Sequence, residues 1–217
     1  MIRQNTLMRL DHISYVASHD QISDVVNRIG SQIGTAFVDG GIHPKFGTRN
    51  FTAPLLNGQY IEVVCPMDHP ATETTAFGKI VKEKSLNGGG WLTWVISIDD
   101  MGTIEKQLKQ QSVFGQRNLP SGKKIEWKQI GLQELAKNTG FPFFIKWLSN
   151  QHPSTEGTPS AKIHKIVVAC HLENKYVLQN YLLKLDSKII ELEYTNSTET
   201  GILKIEFEVN NKLIKID

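Results

Sequence analysis

Apolar and polar positions alternate through Leu10–Ala17, LDHISYVA, and again through Gln59–Cys65, QYIEVVC, a period of two that predicts strands. Between them Ile22, Val25, Val26 and Ile29 recur at i, i+3, i+4 and i+7, the stripe of an amphipathic helix that Gly30 and Gly34 bring to an end. Thr35–Val38 and Phe51–Leu56 add two short strands, and the glycine-rich DGGIHPKFGTRN of residues 39–50 reads as the connection between them. Asn57-Gly58 between two apolar runs is a strong hairpin signal. The predicted order is β-α-β-β-β.

That order recurs. Trp91–Ile98 is followed by Asp99-Asp100 as a helix N-cap region, by a helix carrying Met101, Ile104 and Leu108, and by strands at Lys124–Ile130 and Phe143–Leu148. A third copy opens at Lys162–Cys170. Its predicted helix runs over Asn174–Leu185 with Val177, Tyr181, Leu182 and Leu185 buried. Strands at Lys188–Tyr194, Ile202–Val209 and Lys212–Ile216 follow, with Asn210-Asn211 as the hairpin. DHISYVASH at 11–19 aligns with IHKIVVACH at 163–171, placing His12 over His164 and His19 over His171. The expected organisation is a paired unit over 9–150, with modules at 9–67 and 88–150, a linker at 151–161, and a third module at 162–217. The fold class is therefore α+β: repeated βαβββ modules of mixed sheet with helices on the outer face.

Composition adds mainly exclusions. The 217 residues are 40% hydrophobic and 21% charged, with 24 basic against 22 acidic side chains. A net charge of +2 offers no broad basic surface for nucleic acid, and no apolar run approaches the roughly 20 residues of a bilayer span. The opening MIRQNTLMRLDH carries no signal-peptide-like apolar stretch, and a start at Met8 would leave a seven-residue leader. Cys65 and Cys170 both follow strand-like runs and read as free, buried thiols in a reducing cytoplasm.

Alternation also sorts the strand faces. Ile13, Tyr15, Ala17, Ile61 and Val63 fall on the face a helix can cover. His12, Ser14, Val16, Tyr60, Glu62 and Val64 fall on the other, so an imidazole and a carboxylate share the helix-free side of the sheet. The βαβββ module, with His12 after Asp11 and Glu62 in the fourth strand, resembles the vicinal oxygen chelate superfamily. GGIHPKFGTRN with NGQYIEVV, GWLTWVISIDD, KKIEWKQI and PFFIKW resembles its glyoxalase-like domain group. The resemblance implies paired modules curled into a half-open barrel around a small-molecule site, often with a divalent metal.

The pattern departs from metal-dependent relatives in the second module. Matching VASHD to VISID puts Trp91 at the position of His12, and Lys146 of PFFIKW is read at that of Glu62. Indole donates only, and a lysine ammonium repels a cation. The third module offers His164, but Lys215 in the glutamate position. Three readings follow. His12 and Glu62 hold a divalent metal, with His43 as third ligand; or Lys146 supplies the charge in place of any metal, pairing with Glu62 and facing an anionic or carbonyl substrate; or His12 and Glu62 are hydrogen-bonded polar residues of a core edge.

The glycine-rich stretch is expected to fold over the mouth of the sheet. It would bring His43 as a general base, Lys45 and Arg49 for a carboxylate or phosphate, and Asn50 to border the site with Tyr60 and Trp91. Asn87-Gly88-Gly89-Gly90 reads as a hinge, and His69 and His152 as solvated loop residues. Trp127, Trp147 and the Phe141–Phe144 cluster read as core or interface. The reading that results is a cytoplasmic protein with a small-molecule ligand and no nucleic-acid or membrane partner. It is an enzyme of the lyase, isomerase or dioxygenase type on an oxygenated or anionic metabolite, a non-enzymatic resistance-type binder, or a protein-interaction domain. An unpaired third module suggests a homodimer.

Overall fold

Two hairpin turns fix the register of the chain where the sequence placed them. Asn57 and Gly58 adopt φ of 65° and 69°, and Asn210 and Asn211 adopt 50° and 61°, the doubly left-handed turn whose twist matches paired strands. The computed structural model describes residues 8–182, 191–198 and 200–217. Residues 1–7, Leu185 and the predicted strand start at Lys188 lie outside the described residues.

The first module comprises β1 (Met8–Val16), α1 (Ile22–Ile33), β2 (Val38–His43), β3 (Thr48–Leu55) and β4 (Gln59–Pro66). Two helices, α2 (Pro70–Thr74) and α3 (Ala76–Leu86), lead to the second module: β5 (Gly90–Ile98), α4 (Met101–Leu108), β6 (Val113–Asn118), β7 (Lys124–Ile130), α5 (Leu132–Lys137) and β8 (Phe143–Trp147). The eight strands form one mixed barrel in the order β1-β4-β3-β2-β6-β7-β8-β5. One seam is a long antiparallel pairing of β1 with β5; the other, between β2 and β6, is held at Ile42 and Asn118. The arrangement is the glyoxalase-type half-open barrel expected from the repeat.

The stretch 39–50 is not a loop. Asp39–His43 belongs to β2 and Thr48–Asn50 to β3, with a four-residue turn between. Its glycines serve close strand approach instead of loop freedom: Gly41 sits at a bulge with φ of 91°, and a Cβ there would come within 1.9 Å of the Asn118 carbonyl oxygen. The seam closes because that side chain is missing.

One core lies outside the barrel wall. Ile13, Ile61 and Val63 meet Ile29 and Ile33 of α1 there, while Trp91, Trp94 and Ile96 meet the C-terminal sheet. A second core fills one end of the interior, where Val16, Val64 and Val95 pack with Phe77 and Val81 of α3 and Leu135 of α5. Those helices, together with β6, were not anticipated by the sequence pattern.

The third unit comprises β9 (Ala161–Cys170), α6 (Leu172–Leu182), β10 (Glu191–Asn196), β11 (Gly201–Val209) and β12 (Lys212–Ile216). It repeats the order of elements but not the strand order. Its sheet runs β10-β9-β11-β12, with the first strand inside, whereas each barrel half has its first strand at the module edge. Ile163, Ile166, Ile205 and Phe207 join the outer core against the barrel, and Trp91 Nε1 donates to the Ile216 carbonyl at 2.9 Å. The sheet thus has a partner surface within its own chain, which removes the argument that an unpaired module calls for a dimer. Lys165 pairs with Glu191 and Glu193, and Lys204 and Lys215 pair with Glu206. Among the described side chains of α6, Leu178 is buried and Val177, expected to be buried, is exposed; the side chains of Tyr181 and Leu182 lie outside the described residues. Cys65 and Cys170 are free and buried.

Candidate active site

Parallel pairing of β1 with β4 sets His12 beside Tyr60 and Ser14 beside Glu62, and all four side chains enter the barrel. The Glu62 carboxylate accepts from Ser14 Oγ at 2.8 Å and from Asn50 Nδ2 at 2.7 Å, and lies 4.0 Å from His12 Nε2. The His12 ring stacks on Tyr60 with centroids 4.3 Å apart and meets the edge of Phe143. Its other nitrogen, Nδ1, is 2.8 Å from Asp11 Oδ1. Adjacent strand residues normally face opposite ways; here a bulge between Leu10 and His12 leaves Asp11 as the extra residue opposite β5.

Asp11 is fully buried and is the hub of the site. Besides His12 it accepts from Trp147 Nε1 at 3.0 Å and lies 3.2 Å from His152 Nε2, with Arg9 at 3.3 Å. Burial alone would push its carboxyl up, but the hydrogen bonds and charges of His12 and His152 prevail and hold it well below the usual carboxylate range. Ser154 N donates to His152 Nδ1, so His152 presents Nε2–H to Asp11. An ionised Asp11 likewise places the proton of a neutral His12 on Nδ1. Nε2 is then left with its lone pair in the cavity, facing the Glu62 side.

His43 Nδ1 lies 2.9 Å from Thr48 Oγ1, and the ring packs on the edge of Trp127. Burial, reinforced by Arg117 and His12 against the pull of Glu62, lowers its pKa to about 4. It is therefore neutral near pH 7, able to accept a proton but a weaker base than an ordinary imidazole. Burial also pushes the Glu62 carboxyl up, but His12, His43 and the bonds from Asn50 and Ser14 outweigh it and keep the group below its usual value. Since His43 is uncharged at neutral pH, its contribution is absent there, while the bonds from Asn50 and Ser14 remain. Tyr60 stays protonated because burial raises its pKa well above the ordinary value.

These groups surround a cavity that also takes in Phe46, Phe77, Arg117, Trp127, Gln129, Phe143, Ile145 and Trp147. Of the expected site residues, His12, His43, Asn50, Tyr60 and Glu62 converge on it. Four do not. Lys146 alternates with the inward Ile145 and Trp147 and so points outward, where Nζ donates to the Asp99 carbonyl. Trp91 lies in the outer core, Arg49 pairs with Asp39 at 2.5 Å and covers the Phe51 ring, and Lys45 donates to the Phe114 carbonyl. The linker is part of the site: His152 is largely buried, and its ring meets the rings of Tyr60 and Trp147.

Arg117 is the residue that sequence reading missed. It is 2% exposed and enters the cavity from β6. The signal was the strand-length VFGQRN before the turn that precedes KIEWKQI, whose alternation puts Gly115 and Arg117 on one face.

The donor set does not fit a divalent metal. Both Glu62 oxygens already accept hydrogen bonds. The second module turns Arg117, Trp127, Gln129 and Ile145 inward where partner ligands would stand. The guanidinium also opposes a second positive charge. Among the described residues, no three His, Cys, Asp or Glu side chains are grouped to hold a metal ion. The buried guanidinium at the cavity is that of Arg117 on β6, whereas Lys146 on β8 points outward.

Paired βαβββ modules curling into one barrel around a cavity are the architecture of the vicinal oxygen chelate class. More particularly, residues 10–182 match the glyoxalase-like domain family, and the chain belongs to it. A hypothetical protein from Staphylococcus aureus shares the fold with a TM-score of 0.60 at 17% identity, covering 97% of this chain and 86% of that one. Methylmalonyl-CoA epimerase from Mycobacterium tuberculosis aligns with a TM-score of 0.42 at 14% identity, over 64% of this chain and 85% of that one. The Streptomyces coelicolor epimerase, in complex with 2-nitronate-propionyl-CoA, gives 0.41 at 15% identity over 66% and 99%. No curated protein matches the sequence. Among the described residues, no helix is long and apolar enough to cross a membrane.

Proposed function

We propose that this protein is an acid–base enzyme that moves a proton at a carbon next to a carbonyl, as in an isomerisation or epimerisation. The observation that supports this most is the Asp11–His12 pair beside Glu62 in an enclosed cavity. His12 Nε2 takes the proton from carbon, and the C–H electron pair passes to the carbonyl oxygen as an enolate. Asp11 and Glu62 flank the imidazolium and balance its charge. Arg117 and the neutral His43 offer the positive charge and hydrogen-bonding capacity that an enolate needs. Returning the proton to the opposite face, or to the neighbouring atom, completes the reaction with no redox partner. The aromatic walls exclude water from the intermediate.

The test is deuterium exchange. Protein dialysed against chelator is incubated in D2O with a panel of 2-oxo acids, hydroxyketones and acyl thioesters, and incorporation is read by mass spectrometry. We expect at least one compound to gain deuterium at the carbon next to its carbonyl, with a fall of about 100-fold or more in His12→Gln. If compounds bind but none exchanges, the cavity belongs to a sequestering protein, a reading its six aromatic rings also suit. Exchange that vanishes with the chelator would contradict the metal-free chemistry.

A further inference from the structure

Among the described residues, two cavity side chains have donors without a hydrogen bond. Arg117 Nε and Nη2 are buried without one, and so is Gln129 Nε2. Glu156 Oε2, 3.8 Å from Arg117 Nη2, gives the guanidinium an ion pair but lies outside hydrogen-bonding range. A buried guanidinium left this way is costly, and its fork of parallel N–H groups matches a carboxylate. The backbone makes room for it. A Cβ at Gly40 would lie 2.8 Å from Arg117 Nη1 and 2.2 Å from Asn50 Oδ1, itself unpartnered. The pairing of β6 with β7 sets Gln129 opposite Val113, four positions and about 13 Å along the strand from Arg117. Trp127, opposite Gly115, stands between these polar ends, and Phe46, Phe77 and Phe143 also line the cavity.

We infer that the substrate is a carboxylic acid with an apolar or aromatic body. Its carboxylate pairs with Arg117, its body lies on the aromatic wall, and an acceptor oxygen on the body meets Gln129 Nε2. This deepens the proposed function by naming a substrate class, and it rests on the cavity being the substrate site but not on proton transfer. It also gives the unpaired amide of Gln129 a role, since its Oε1 is already taken by Trp127 Nε1 at 2.7 Å.

Trp127 and Trp147 report occupancy through their fluorescence. Titrating phenylacetate, 3-phenylpropionate, phenylpyruvate and 3-methylbutanoate, each against its primary amide, should show at least one acid binding roughly tenfold or more tighter than its amide. Arg117→Gln should erase that preference. Arg49→Gln, which removes a guanidinium outside the cavity, should keep it. The inference is overturned if no acid outperforms its amide, or if Arg117→Gln retains the preference; the acid–amide comparison on the unaltered protein decides alone if that variant does not fold. Acid preference without deuterium exchange would remove the proton-transfer reading and leave this one standing. Exchange on neutral carbonyl compounds with no acid preference would do the reverse.

Discussion

Asp11→Ala is expected to destabilise the fold by about 3–5 kcal/mol, the range for removing one member of a buried ionic cluster. The carboxylate is buried and holds His12, Trp147 and His152, so its loss strands three ring N–H donors at once. The effect reaches beyond one strand, because His152 and Trp147 tie the 151–160 segment and β8 to β1. Urea denaturation at pH 7 measures it; a change below about 1 kcal/mol would mean the hub is not what holds these segments together. Asp11→Asn keeps the shape but removes the charge. Where the unaltered protein exchanges deuterium, this variant should lose about 10²–10⁴-fold in rate, since the imidazole then lacks both its orienting acceptor and its countercharge. Because folding depresses the Asp11 pKa, its contribution is complete above the ordinary carboxyl value of 3.8 and is lost as pH falls below it.

His43 governs a separate pH window. Folding lowers its pKa from 6.5 to about 4, so between those values the unfolded chain binds a proton that the folded chain refuses. Stability is full above pH 6.5, falls as the pH drops towards 4 and levels off below it. The size of the fall from this residue is about 3 kcal/mol. Asp11, lowered from 3.8, acts below this range, and Glu62, lowered from 4.5, begins to act at its lower edge in both proteins. His43→Gln, which keeps a polar group beside Thr48, should flatten the profile between pH 6.5 and 4 relative to the unaltered protein. Chemical denaturation at pH 7, 5.5 and 4.2 checks this, and parallel profiles for the two proteins would contradict it. Comparing the two proteins cancels the histidines they share.

The first half of the barrel was readable because strand alternation is strict there. Ile13 and Ile61 against His12 and Glu62 is a period-two statement, and it placed an imidazole and a carboxylate in one hollow. The second half was misread by the same rule applied one residue out of step. Reading Lys146 at the position of Glu62 put it inside, whereas FFIKW matched position for position with YIEVV puts Ile145 there, and Ile145 faces the cavity. Glycine misled in a different way: Gly40 and Gly41 look like loop residues, yet their missing side chains admit Arg117 and the Asn118 backbone. Neither requirement is local, so neither is legible in a window of a few residues. The 151–161 linker was read from its Pro, Ser and Thr content, which says nothing of the buried carboxylate that His152 finds across the barrel. The strand order of the third unit is likewise a matter of tertiary packing, since β-α-β-β-β permits both arrangements.

The account stands on the orientation of one ring, and ¹⁵N NMR of histidine-labelled protein observes it directly. On the alkaline side of its titration His12 should carry its proton on Nδ1, held by Asp11, with Nε2 unprotonated towards Glu62, and this preference should weaken in Asp11→Asn. A neutral His12 protonated on Nε2, unaffected by Asp11→Asn, would contradict it.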